Sequence, residues 1–175
     1  MKIALRGLVC AGVTLALSTT LLAKGPTTRI TISGSSLTNP IEISDVNIIK
    51  EFQVWAGPGT KMCVGGIANC VEGTEGFIVD WSSGAVSERP SGLERYQISF
   101  YVNDHSASRS GPARLAYVVS YEYDSATAQG YVYLPGKTDQ WYSLNTESIY
   151  RGREGNWFRA AAAWQDAVVP LIARQ

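Results

Sequence analysis

His105 is the one histidine in the 175 residues. Any imidazole-activated serine or cysteine nucleophile, and any histidine acid–base step, has to use it. It sits beside Asp104 in the polar stretch Asn103–Ala113. The chain contains no G-x-S-x-G nucleophile turn and no H-E-x-x-H zinc helix, so His105 reads as a solvated loop side chain. Carboxylates are the other source of hydrolytic chemistry, because cleaving a glycosidic bond needs two acids held across it. Asp80, Glu122 and Asp124 lie in or near strand patterns. A small secreted hydrolase using Asp80 and Glu122 is the enzymatic alternative; exposed acids on a wet sheet face are the plainer reading. Gly136-Lys137-Thr138 resembles the end of a phosphate-binding loop, but Tyr131 stands where that loop needs its first glycine. The segment therefore reads as a turn, and no cofactor is expected.

Two clusters suit binding better than catalysis. Arg151, Arg153, Glu154 and Asn156 fall in the glycine-bearing stretch RGREGN. Guanidinium groups beside backbone amides at a helix start can hold an anion, which makes Arg151 and Arg153 anion-binding candidates against a simple capping role. Tyr131, Tyr133, Trp141 and Tyr142 gather around Pro135-Gly136. Such rings combine an apolar body with a polar tip, which serves half-buried sheet positions and contact with sugar or peptide equally well. Tyr133, Trp141 and Tyr142 are the candidate ligand-binding residues.

These side chains need elements to carry them. Leu115, Tyr117, Val119, Tyr121 and Tyr123 alternate with smaller or more polar residues, and Tyr96, Ile98, Phe100 and Val102 do the same. Period two predicts strands, and the intervening polar loop makes them an antiparallel pair. Shorter strands are predicted at Arg29–Ser33, Ile41–Ser44, Gly76–Trp81, Gln129–Leu134 and Gln140–Leu144, with Pro135-Gly136 turning between the last two. Asp45 is placed to cap a short helix in VNIIKEFQVW, stopped by Gly57-Pro58-Gly59. Trp157, Ala161, Trp164 and Val168 recur at steps of four, three and four, predicting a C-terminal helix capped by Asn156 and ended or kinked at Pro170. The expected fold is α+β: a mainly antiparallel sheet, a short helix after the second strand, and a C-terminal helix packed on one face.

The N-terminus sets the compartment. Lys2 and Arg6 precede an uncharged apolar run from Gly7 to Ala23, the order of a secretory signal peptide. Residues 1–23 are expected to be a signal and 24–175 a single domain, located extracytoplasmically in the periplasm or envelope or secreted. An uncleaved signal would be its only membrane anchor. Removing Lys2 and Arg6 from 15 basic side chains leaves 13 against 15 acidic ones, a formal balance of −2. That balance offers no electrostatic attraction to nucleic acid. Cys10 leaves with the signal, so Cys63 and Cys70 remain in CVGGIANC. In an oxidising compartment they are expected to form a disulfide, contributing about 2.5 kcal/mol by closing the loop.

The strings TRITISGSSLTNPIEISD, FQVWAGPGT, GFIVDW, GYVYLPGKTDQWYSLN and EGNWF resemble a family of bacterial exported or envelope-associated proteins, over about Arg29 to Trp164. The segment carrying Cys63 and Cys70 departs from that pattern. The resemblance implies the compartment and assigns no activity, ligand or site residue. The leading expectation is a non-enzymatic, envelope-associated binding or interaction module whose partner is an envelope component, glycan or peptide.

Overall fold

A computed structural model describes residues 25–34, 36–63, 70–103 and 112–175, with backbone only at 62 and 63. The expected signal, Cys10 and His105 lie outside the described residues, as does the side chain of Cys63. The chain forms strand β1 (Thr27–Gly34), β2 (Ile41–Ile43), helix α1 (Val46–Ile49), β3 (Lys61–Cys63) and β4 (Cys70–Glu72). After a single 3-10 turn at Trp81–Ser83 come β5 (Ala85–Val86), β6 (Glu94–Val102), β7 (Arg114–Asp124), β8 (Gln129–Tyr133), α2 (Tyr142–Ser148), β9 (Trp157–Arg159) and α3 (Ala162–Ile172). Among the described residues, seven strands form one sheet in the order β2-β1-β6-β7-β8-β9-β5, and β3 pairs with β4 apart from it. Every pairing is antiparallel. This is the expected α+β architecture, with α1 directly after β2 and α3 against one sheet face.

Alternation sorts the strand residues between two faces. Ile30, Ile32, Ile98, Phe100, Tyr117, Val119, Tyr121, Val132 and Phe158 are buried on the first face. There they meet Ile49 and Phe52 from the α1 region and Trp164 and Val168 from α3. The Trp164 indole packs edge-on to Phe52 at 5.1 Å and against Tyr121 at 6.3 Å. Gly130 makes room for this layer: a Cβ there would lie 2.6 Å from the Tyr121 ring and hydroxyl.

Several sequence expectations are corrected. Residues 140–144 are not a strand. Helix α2 starts at Tyr142, so Pro135-Gly136 leads from a strand into a helix instead of forming a hairpin. The turn is held by Asp139, whose carboxylate accepts from the Gly136 N–H at 2.6 Å and whose own N–H donates to the Gly136 carbonyl at 2.9 Å. Trp157 belongs to β9 because Phe158 pairs with Val132 and Trp157 with Tyr133. That ladder continues to Ala160, whose N–H donates to the Gly130 carbonyl, so α3 begins only at Ala162, with Ala161 as its N-cap. The helix runs two residues past Pro170; the intrahelical bond that proline cannot make would go to the carbonyl of exposed Asp166. The helix expected in VNIIKEFQVW is one turn, capped by the Asp45 carboxylate on the Asn47 N–H at 2.8 Å. The strand expected over Gly76–Trp81 reduces to one bridge, Val79 to Ala160.

Candidate functional site

The second face of the sheet carries Tyr133, and Trp141 is hydrogen-bonded onto it from the start of α2, where Tyr142 is the first helical residue. Strand register places Gln97, Ser120, Tyr133 and Trp157 in one row across β6, β7, β8 and β9, with Arg95, Glu122, Tyr131 and Arg159 in the next. Tyr133 and Trp157, paired across adjacent strands, stack at 5.0 Å between ring centroids. The Tyr133 hydroxyl donates to Asp139 at 2.8 Å. Partial burial, followed by that bond to a carboxylate, pushes the phenol above its ordinary pKa. Trp141, at the start of α2, donates its indole N–H to the Gln97 side chain at 3.1 Å. Tyr133, Trp141, Tyr142 and Trp157 are all half-buried.

Helix α2 reaches this position through one residue. β8 pairs with β7 only from Ser120 onward, which leaves the Val118 backbone beyond the end of β8. Asn145 takes the place of the missing strand. Its carbonyl oxygen accepts from the Val118 N–H at 2.8 Å and its amide donates to the Val118 carbonyl at 2.7 Å. A buried backbone pair left unmet would be costly, so Asn145 sets where α2 and the ring of Trp141 lie.

Beside the stack is a charged corner. Glu122 is 2% exposed. Arg95, opposite it on β6, donates to its Oε1 at 2.8 Å. Arg89, from the segment between β5 and β6, forms an ion pair with its Oε2. The Arg89 guanidinium also lies 4.0 Å above the Trp157 ring, with that of Arg95 at 5.7 Å. Residues 87–93, Arg95 and Glu122 line a cleft of about 740 Å³ at this corner.

The remaining predicted site residues lie elsewhere. Arg151, expected at the surface, is 4% exposed. Its guanidinium donates to the carbonyls of Val54, Ala56 and Pro58 at 2.7, 2.8 and 3.0 Å and to the Tyr117 hydroxyl at 3.2 Å. It also lies 4.6 Å from the Phe77 ring centroid. Desolvation lowers its pKa and raises that of Tyr117. These contacts make Arg151 a tie between the 54–58 loop and the sheet, which corrects the expectation that it faces an anion. Arg153 is exposed and borders a different cleft of about 720 Å³ with Asp80, Trp81 and Glu75. Asp80 caps the 3-10 turn, accepting from the Ser82 N–H at 3.1 Å, the Ser82 hydroxyl at 2.6 Å and the Ser83 hydroxyl. The serine hydroxyls hold its carboxyl below the ordinary aspartate pKa. Asp80 and Glu122 thus border separate clefts, each engaged by its own partners. Asp124 accepts from the Ala126 N–H and the Thr127 hydroxyl in the turn after β7. Cys63 stands directly opposite Cys70 in the β3–β4 register.

Sequence reasoning missed Arg89 and assigned Trp157 to a helix. Arg89 lies in SERPSG, which has no periodicity to mark it, and Trp157 fits a helical step as well as a strand. The alternation of Trp157 and Arg159 around Phe158 was the available strand signal, but three residues are too few to decide a period.

The chain matches no family model, no curated protein and no solved structure. Among the described residues, no helix is long and apolar enough to cross a membrane and no group of three or more acidic, histidine or cysteine side chains is placed to hold a metal.

Proposed function

We propose that this chain is a non-enzymatic, exported, envelope-associated binding module that takes an envelope glycan or peptide on the second face of its sheet. The observation that carries the reading is the row Gln97, Ser120, Tyr133 and Trp157, flanked by Trp141 on Gln97: half-buried rings on either side of two polar residues. Rings that served only the core would be buried like Trp164, and aromatic surface of this kind is suited to recognition. The separation of Asp80 from Glu122 favours binding over carboxylate hydrolysis.

Export rests on the order of charges and apolar residues in 1–23, and the Cys63–Cys70 disulfide on the β3–β4 register and the oxidising compartment. The mass of the extracytoplasmic product should lack residues 1–23, and the unfolded, unreduced mature chain should titrate no free thiol. The binding test is co-sedimentation of the mature chain with purified cell-wall sacculi. Trp141→Ala should abolish retention and leave the denaturation midpoint nearly unchanged. Unchanged retention, or a Trp141→Ala chain that unfolds, would remove this face from function.

A further inference from the structure

Resting on that reading of the second face, we propose that Glu122 and the Trp157 ring form a receptor for a guanidinium or ammonium group, occupied internally by Arg89. A basic side chain of a peptide partner displaces it. A carboxylate buried this deeply on a sheet face needs a compensating cation. The two oxygens of Glu122 are served differently: Oε1 accepts a hydrogen bond from Arg95, on the neighbouring strand. Among the described residues Oε2 is met by the Arg89 guanidinium, in an ion pair, from the connecting segment between β5 and β6. A cation supplied by an exposed connecting segment is easier to exchange for another than one carried by a paired strand. The aromatic wall is already in place, since the guanidinium of Arg89 lies 4.0 Å over Trp157, while Tyr133 supports the stack at 5.0 Å.

Arg89 comes from a segment built to release it. Ser87, Glu88, Pro90, Ser91 and Gly92 are exposed, and only Arg89 and Leu93 of residues 87–93 are partly covered. Gly92, three residues after Arg89, has a φ of +75°, and nothing lies within 4 Å of where a Cβ would stand. Such a position absorbs a backbone rotation at little steric cost. The cleft of about 740 Å³ between this segment and Glu122 gives an incoming side chain its approach. Charge chooses the partner class: another cation in place of Arg89 restores the ion pair at Oε2 and the contact over Trp157, whereas a neutral sugar hydroxyl offers Oε2 a hydrogen bond alone and leaves Arg95 as the one cation on the carboxylate.

The test is isothermal titration of the mature chain with the capped peptide Gly-Gly-Arg-Gly-Gly and its citrulline counterpart. Arg89→Ala should bind the arginine peptide at least ten-fold more tightly than the unaltered chain, because the internal competitor is gone. Adding Glu122→Gln to that variant should remove the gain. Arg89→Gln, which keeps a side chain near Trp157 without the charge, should show the same gain and serves if Arg89→Ala folds poorly. Equal affinities for the unaltered and Arg89 variants, equal binding of the citrulline peptide, or a charge-independent response to a neutral chitin oligosaccharide at this corner would each overturn the cation receptor. If the receptor fails while Trp141→Ala still abolishes retention on sacculi, the face remains a binding surface of another kind. If retention fails while the Arg89 variants gain affinity, the cation receptor stands by itself.

Discussion

The two faces of the sheet are made from the same strands, yet apart from the Arg151 tie between Tyr117 and the 54–58 loop they solve burial in opposite ways. On the first, Trp164, Phe100, Tyr121 and Phe158 are wholly or almost wholly enclosed and meet other rings or aliphatic chains. On the second, Glu122 and Asn145 are as deeply buried as those rings but are held by named polar partners. Apolar packing is non-directional and tolerates exchange of partners, so the first face can specify the fold without specifying a chemistry. Polar burial is directional, and each group fixes the position of one other element. Arg95 and Arg89 are drawn over Trp157 by Glu122, and α2 is drawn to the edge of β7 by Asn145. The surface with recognisable chemistry is accordingly the one organised by polar residues.

The sharpest way to break the comparison is Trp164→Ala. An emptied, wholly buried aromatic site should cost about 3–5 kcal/mol in chemical denaturation. A loss below about 1 kcal/mol would mean that α3 is peripheral and that the first face is not the core. Next is Arg151→Lys, which keeps the charge but cannot span three carbonyls and the Tyr117 hydroxyl at once. A loss of about 2–3 kcal/mol is expected, and no loss would show that the 54–58 loop is held by packing alone.

Asn145→Ala tests the polar face in the same units. With the Val118 N–H and carbonyl both unpaired, stability should fall by about 1–2 kcal/mol. Amide exchange at Val118 should accelerate more than at Tyr117 beside it. Trp141→Ala, by contrast, removes a half-buried ring and one bond to Gln97, and should cost less than about 1 kcal/mol. If it cost as much as Trp164→Ala, the second face would be a second core and its claim to binding would lapse.

The smallest effect is expected at Asp80. Hydrogen bonds from Ser82 and Ser83 hold its folded pKa below the ordinary 3.8. A depressed carboxyl contributes stability that is present above the unfolded pKa and is lost as pH falls through the lower, folded one. Asp80→Asn should therefore lose less than about 1 kcal/mol at neutral pH. Its stability should also decline less steeply than that of the unaltered chain below about pH 4; parallel acid profiles would show that the capping bonds add nothing to folding.

Legibility differed between long and short elements. β6 and β7 were readable because nine and eleven residues give period two enough repeats to exclude a helix. Gln140–Leu144 was misread as a strand because Trp141 and Tyr142 carry a strand-like composition, while the feature that holds helix α2 beside β7 is one buried asparagine, Asn145, with a partner 27 residues away. Of the candidate site, Tyr133, Trp141 and Tyr142 were legible as amphipathic rings, and Glu122 as a strand carboxylate. Arg151 was misplaced because a guanidinium near glycines reads as exposed, and only the folded 54–58 loop supplies the carbonyls that enclose it.

Composition and periodicity alone determined the α+β class, the antiparallel hairpin of β6 and β7, and the burial of Trp164 and Val168 on one side of a terminal helix. These follow from repeats within one segment, where each residue's neighbours are set by its own spacing. Tertiary structure decided that Trp157 joins a strand, that Arg89 crosses to Glu122, and that Asp80 and Glu122 stay apart. Each of those outcomes depends on strand order and on side chains meeting across dozens of residues, and local spacing carries no record of such distances.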